Sequence, residues 1–152
     1  MENSNQNTFS FKKVLLIAFT AGTLDGLAAV IFLAKMNFTG VFQYIASAIL
    51  GKEAFAGGTK TALIGVVLHY IIAFSFTLFY TVAATKITLL KRHFILPGII
   101  YGLLVWIVMN LLVVPLTKIP AVPFNYEKAI LNVVILIFCI ALPISYLTAR
   151  KN

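Results

Sequence analysis

The stretch from residue 61 to residue 85 reads TALIGVVLHYIIAFSFTLFYTVAAT and contains no Asp, Glu, Lys or Arg. A helix needs about 20 apolar residues to cross roughly 30 Å of hydrocarbon, so this stretch is long enough to span a bilayer. Lipid offers no hydrogen-bond partners to a backbone, which an α-helix satisfies within itself. The stretch therefore predicts a transmembrane helix.

Three further apolar stretches of similar length, residues 14–34, 94–115 and 129–149, carry a single charged side chain between them, that of Asp25. A transmembrane β-barrel would need shorter segments of alternating hydrophobicity. We therefore predict an all-α polytopic membrane protein with four transmembrane helices. Residues 1–152 form a single membrane domain in this interpretation, with residues 1–11 as a polar, disordered N-terminal segment.

The composition agrees with a membrane protein, because 61% of the residues are hydrophobic and only 11% are charged. Ordinary soluble domains have about 25% charged residues. The net charge is +8, and the basic residues fall between the apolar stretches, where anionic lipid headgroups lie. This pattern predicts the lipid bilayer as a partner. It argues against nucleic acid, because outside the spans the chain has no basic face with interleaved aromatic residues.

Residues 38–50 lie between the first two spans and are too few to cross a bilayer. Their apolar positions recur at helical spacing, which predicts a short interfacial amphipathic helix, with a re-entrant segment as the alternative. The apolar face consists of Phe38, Val41, Phe42, Ile45 and Ile49. On this interpretation Gln43, Tyr44 and Ser47 lie mostly on the opposite, polar face.

The positive-inside rule orients the chain. With the N-terminus inside, seven Lys and Arg residues are cytoplasmic (Lys12, Lys13, Lys86, Lys91, Arg92, Arg150, Lys151) and five lie outside (Lys35, Lys52, Lys60, Lys118, Lys128). We therefore predict a multi-pass protein of the cell inner (plasma) membrane with both termini in the cytoplasm.

Asp25 lies near the middle of the first span, between glycines at 22 and 26. A carboxylate at that depth is expensive, and such residues usually face a bundle interior or a wet cavity. Gly22 and Gly26 form a GxxxG pair that allows another helix to approach closely, and Gly98 and Gly102 form a second pair in the third span. We predict that these glycines pack helices and that the carboxyl points into the contact.

The remaining spans each carry one polar residue of interest: His69 in the second, Asn110 in the third and Asn132 in the fourth. Counted from the helix ends, these positions could converge with Asp25 in the outer half of the bundle. If Asp25 and His69 meet, they could share or relay a proton. The alternative is that His and Asn serve only as interhelical hydrogen-bond partners, worth about 0.6 kcal/mol on average.

Two helix features follow from single residues. Asn125 is a candidate N-cap for the fourth span. Pro143 lies inside that span and leaves the carbonyl of Cys139 without its helical donor, which predicts a kink. Cys139 itself is expected to be a small packing residue.

Enzyme signatures are absent from the sequence, which has no nucleophile elbow, zinc-protease motif, P-loop or dinucleotide fingerprint. The chain holds only four acidic residues and two histidines. We therefore predict neither catalysis nor a cofactor or metal site.

Four stretches together resemble the YagU-like group of small bacterial membrane proteins, over about residues 15 to 120. They are Gly22 to Gly26, Ile45 to Gly51, Thr61 to Phe74 with His69, and Pro97 to Leu116 with Asn110. The resemblance implies a four-helix inner-membrane protein, and a role in acid tolerance has been attached to that group. It assigns no catalytic or binding residue.

Two hypotheses for function remain open at this point. The first is proton-linked transport or conduction through a site around Asp25 and His69. The second is a non-transporting structural or accessory protein that binds a membrane protein partner, or a second copy of itself, through its GxxxG faces.

Overall fold

The computed structural model describes residues 10–150, and within them the chain is helical with no β-strand. Four helices are long and apolar enough to cross a membrane: α1 (Phe11–Leu33), α3 (Gly58–Lys86), α4 (Ile95–Leu116) and α5 (Tyr126–Ala149). Helix α2 (Phe38–Leu50) lies between the first two spans. The predicted all-α, four-span fold is confirmed. Residues 1–9 of the predicted disordered segment lie outside the described residues, whereas Phe11 is already helical.

Helix α1 has neighbours on two sides, α3 on one and α5 on the other. Helix α4 packs mainly on α5, and its Tyr101 hydroxyl reaches α3 by donating to the Phe76 carbonyl at 2.6 Å. Helix α2 packs along the N-terminal part of α3. The bundle therefore has two halves. The termini half holds the start of α1 and the end of α5, and the α2 half holds α2 and the N-terminal part of α3.

The hydrophobic core lies mainly in the termini half. Its buried residues are Ile17, Ala21, Tyr80, Tyr101, Val105, Leu136, Ile140, Ala141 and Ile144. Within this core cluster the Tyr80 hydroxyl donates to the Ser145 Oγ at 2.6 Å, because the Ser145 hydroxyl itself donates to the Phe94 carbonyl at 2.9 Å. At the rim, the Lys13 ammonium donates to the Arg150 carbonyl at 2.8 Å. Together with the core cluster, which includes residues of all four spans, these hydrogen bonds stabilise the termini half.

Two spans contain a π-helical turn that ends two residues before a proline. In α4 the turn covers Val108–Val113 and precedes Pro115, and in α5 it covers Leu136–Ala141 and precedes Pro143. Proline lacks an N–H and its ring clashes with the carbonyl four residues earlier, which a locally widened helix relieves. At Pro143 the structure has this π-helical turn, and the predicted kink of the helix axis stays a prediction. The predicted N-cap is confirmed, since the Asn125 Oδ1 accepts from the Lys128 N–H at 2.9 Å.

Helix α2 has the predicted bounds, but its buried face differs from the prediction. The buried residues are Phe42, Gln43, Ala46 and Ser47, while Phe38 and Ile49 are about half exposed. The assignment of Gln43 and Ser47 to an outward polar face is therefore wrong. The Gln43 amide donates to the Gly58 carbonyl at 3.2 Å. Where the surroundings are lipid, a polar side chain finds its partners inside the protein and an apolar one can face outward.

Close approach of α2 to α3 depends on Gly65. A Cβ at this position would overlap the carbonyl group of Phe42, so the two backbones are in contact. Small residues allow membrane helices to approach in this way, which increases their van der Waals contact. Gly65 therefore fixes α2 against the second span.

Candidate functional site

His69 lies on the buried side of α3, facing α1. Its Nε2 atom is 2.7 Å from the Gly22 carbonyl oxygen, and the side chain is only 8% exposed. A carbonyl can only accept, so Nε2 carries the hydrogen and Nδ1 is the acceptor in the neutral ring. A Cβ at Gly26 would lie 3.3 Å from the same Nε2. The glycine pair of α1 therefore forms a slot for the imidazole.

Asp25 lies in the same stretch of α1, three residues after Gly22, and its side chain is partly buried. It directly precedes Gly26, the residue of α1 that contacts the His69 ring on α3. No hydrogen bond joins it to His69, whose Nε2 is held by the Gly22 carbonyl instead. The structure thus brings the acid and the imidazole near each other across the α1–α3 contact, and proton exchange between them stays a prediction.

The two asparagines are placed differently. The Asn110 amide donates to the Trp106 carbonyl in its own helix at 3.0 Å, and the surrounding π-helical turn packs mainly within α4. Asn132 is partly buried on α5. Among residues 10–150, no hydrogen bond links either asparagine to Asp25 or His69. Of the four candidates, only Asp25 and His69 therefore lie at the contact between α1 and α3.

A cavity of about 140 Å³ lies beside His69, between α1, α2 and α3. Its walls include Thr23 and Tyr70, whose hydroxyls are 2.8 Å apart. The Thr23 hydroxyl donates to the Phe19 carbonyl at 2.7 Å, so the Tyr70 hydroxyl is the donor between them. Asp25 is not among the lining residues.

Sequence reasoning missed Thr23, Tyr70 and Phe42 as neighbours of His69. The Phe42 and Tyr70 rings both lie edge-on to the imidazole, with centroids 5.8 Å and 5.6 Å from it. Two hydroxyls in the middle of spans were an available signal, because polar groups there usually face the protein interior. The contact of Phe42 had no such signal, since it depends on how α2 folds back onto α3.

The second glycine pair packs α4 on α5. A Cβ at Gly102 would lie 2.9 Å from the Ile137 Cα, and one at Gly98 would lie 3.4 Å from the Leu142 Cα. Together with the Gly22 and Gly26 contacts to α3, this places both GxxxG pairs in helix contacts within the chain.

Four spanning helices packed around apolar cores define the class: a polytopic α-helical membrane protein. Within residues 10–150 no three His, Cys, Asp or Glu side chains gather in a way that could hold a metal ion. No protein-family model, curated protein or solved structure matches the chain. The resemblance to the YagU-like group therefore stays a prediction.

Proposed function

We propose that this chain is a proton-linked transport or conduction protein of a cell inner (plasma) membrane, with Asp25 and His69 at its site. The observation that carries the proposal is a partly buried acid in the middle of α1, next to the Gly26–His69 contact, with no hydrogen bond to its carboxylate from the described residues. An ionisable group inside a membrane bundle is costly to keep and usually marks an ion or proton pathway.

The hydrogen bond of His69 supports a role for Nδ1 as the proton-binding atom of this site. The Nε2 hydrogen is committed to the Gly22 carbonyl, so an incoming proton binds at Nδ1. The resulting imidazolium would favour a carboxylate beside it, and Asp25 directly precedes Gly26, the α1 residue that His69 contacts. Proton transfer from Nδ1 to the carboxylate then requires the two groups to come within hydrogen-bond reach, directly or through one water.

The core cluster bears on how protons would cross. It fills the termini half with side chains such as Tyr80 and Ile144, which are fully buried. The cavity beside His69 lies in the other half of the bundle. This arrangement favours a gated pathway, in which helices must separate in the termini half, over a permanently open pore.

The direct test is the decay of a pH gradient across liposomes that contain the purified protein. Wild type is expected to dissipate the gradient faster than empty liposomes, and Asp25→Asn is expected to fall to the empty-liposome rate. Asparagine has nearly the same shape as aspartate and cannot titrate. Glu53→Gln is the matched control, because it removes an acid outside the four spans and should leave the flux unchanged. Flux in Asp25→Asn equal to wild type would overturn the proposal.

The accessory role is the second hypothesis, and one observation argues against the GxxxG faces as its partner-binding surface. Both GxxxG pairs pack within the chain, so a partner helix that used them would have to displace α3 or α5. An accessory protein would therefore need other surfaces. Protein that leaves the pH gradient intact in every variant would favour this second role.

A further inference from the structure

The cavity between α1, α2 and α3 is bounded in part by residues on the outer surface of the bundle. Two of its lining residues, Leu27 and Phe38, are about half exposed on the outer surface of the bundle. Its inner end reaches Gly26 and His69. A molecule in the surrounding bilayer could therefore enter it without leaving the membrane.

The lining suits hydrocarbon. It is mostly apolar, with Leu27, Val30, Phe38, Phe42 and Val66 among its walls. The Thr23 and Tyr70 hydroxyls bond to each other, and the His69 Nε2 bonds to Gly22, which leaves few free polar groups for a polar ligand. Apolar cavities of roughly 150 Å³ stay dry and bind benzene or xenon. At about 140 Å³, this cavity has room for a similar amount of hydrocarbon.

The net positive charge at the end of the α2 half indicates an anionic lipid headgroup. The lysines here are Lys35, Lys52, Lys60, Lys118 and Lys128, against the acids Glu53 and Glu127. Lys35 is exposed, and in the sequence it lies between Val30 and Phe38, which both line the cavity. The Met36 N–H donates to the Val30 carbonyl at 2.8 Å, which holds this turn at the cavity. Lysines at a membrane surface attract anionic lipids.

We propose that the cavity takes a hydrocarbon chain of an anionic phospholipid, whose headgroup lies at Lys35. The cavity holds a short part of that chain, about as much hydrocarbon as benzene, against Gly26 and His69. The proposal does not depend on proton transport, because lipid binding is measured without a pH gradient.

The test is native mass spectrometry of the detergent-purified protein with phosphatidylglycerol and with phosphatidylcholine of identical acyl chains. Wild type should retain one phosphatidylglycerol in preference to phosphatidylcholine. Val66→Phe fills the cavity and should weaken binding of both lipids by roughly tenfold or more. Val67→Phe is the matched control: the same change, one residue along, at a position 60% exposed outside the cavity, should leave binding unchanged.

A second pair of variants tests the headgroup. Lys35 has a left-handed backbone, with φ of 48°, which asparagine adopts readily, so Lys35→Asn should fold normally. It should reduce the preference for phosphatidylglycerol by about fivefold, the effect of one lysine at a membrane surface. Lys91→Asn removes a lysine in the termini half and should change nothing.

Equal binding of the two lipids to wild type, or equal losses in Val66→Phe and Val67→Phe, would overturn the proposal. Circular dichroism and thermal unfolding establish whether each variant is folded. If Val66→Phe does not fold, the comparison of Lys35→Asn with Lys91→Asn decides, and an equal lipid preference in these two variants would also overturn it.

Discussion

Ser145 joins three parts of the bundle through one hydroxyl. It accepts from Tyr80 on α3 and donates to the Phe94 carbonyl before α4, while belonging to α5 itself. Both Ser145 and Tyr80 are almost completely buried, so neither can turn to water or lipid headgroups for a replacement partner. A small, common residue thus carries a contact that no motif in the sequence indicates.

Ser145→Ala should lower the free energy of unfolding by about 1–3 kcal/mol, because the Tyr80 hydroxyl is left buried without an acceptor. Thermal or denaturant unfolding in detergent measures the change. Ser75→Ala is the control, since the Ser75 hydroxyl is exposed and bonds only within its own helix, to the Ile71 carbonyl. A loss of stability no larger than that of the control would show that the Tyr80–Ser145 bond does not hold the termini half together.

The individual residues of the candidate site were accessible to sequence reasoning to different degrees. Asp25 and His69 stand out in apolar spans, and their depths allow them to converge, but the sequence left open whether they meet. The Gly22 carbonyl could not be predicted as the partner of His69, because it belongs to a backbone and has no residue-type signal. Asn110 shows the limit of depth counting, since an amide can bond to its own helix at Trp106 and contribute nothing to a shared site.

At the scale of elements, length and hydropathy predict the helices well, because the bilayer imposes both. The bounds of α2 were also predictable, since Asn37 caps its start through the Gly40 N–H and Gly51 follows its end with a positive φ. The buried face of α2 was not predictable from amphipathicity. An amphipathic pattern indicates the buried face only when the polar face of the helix lies in water. Here α3 provides the hydrogen-bond partner of Gln43 instead.

Gly65 gives a prediction about α2 as an element. Gly65→Ala places a Cβ into the Phe42 carbonyl, so α2 must move away from α3 or the helices must bend. We expect a loss of about 1–3 kcal/mol in the free energy of unfolding, the usual cost of overpacking. Val67→Ile adds a methylene at an exposed position of α3 and should have little effect.

The readout for Gly65→Ala is thermal unfolding in detergent, combined with limited proteolysis of the segment from α2 to α3. Faster cleavage near Gly51 in the variant would indicate that α2 has separated from α3. An unchanged melting temperature and cleavage rate would contradict the close backbone contact at Phe42.

At the scale of the whole molecule, the number of spans could be predicted and their arrangement could not. Hydropathy is a property of each segment, whereas the neighbours of α1 depend on side-chain fit between segments. The glycine pairs indicated which helix faces allow close packing. They did not indicate that Gly22 and Gly26 contact α3, or that Gly98 and Gly102 contact α5. Both pairs lie inside the monomer, so a homo-oligomer would need a different surface.

The orientation of the bundle is the prediction that belongs to this scale. The distribution of Lys and Arg predicts cytoplasmic termini. In that orientation α2 and the turn at Lys35 lie outside, and the turn at Lys91 lies inside. Single cysteines at these two positions, in a Cys139→Ala background, test this in intact cells with a membrane-impermeant maleimide. Lys35→Cys should react in intact cells, whereas Lys91→Cys should react only after the membrane is broken. The reverse pattern would place the termini outside, and the lipid cavity would then face the inner leaflet.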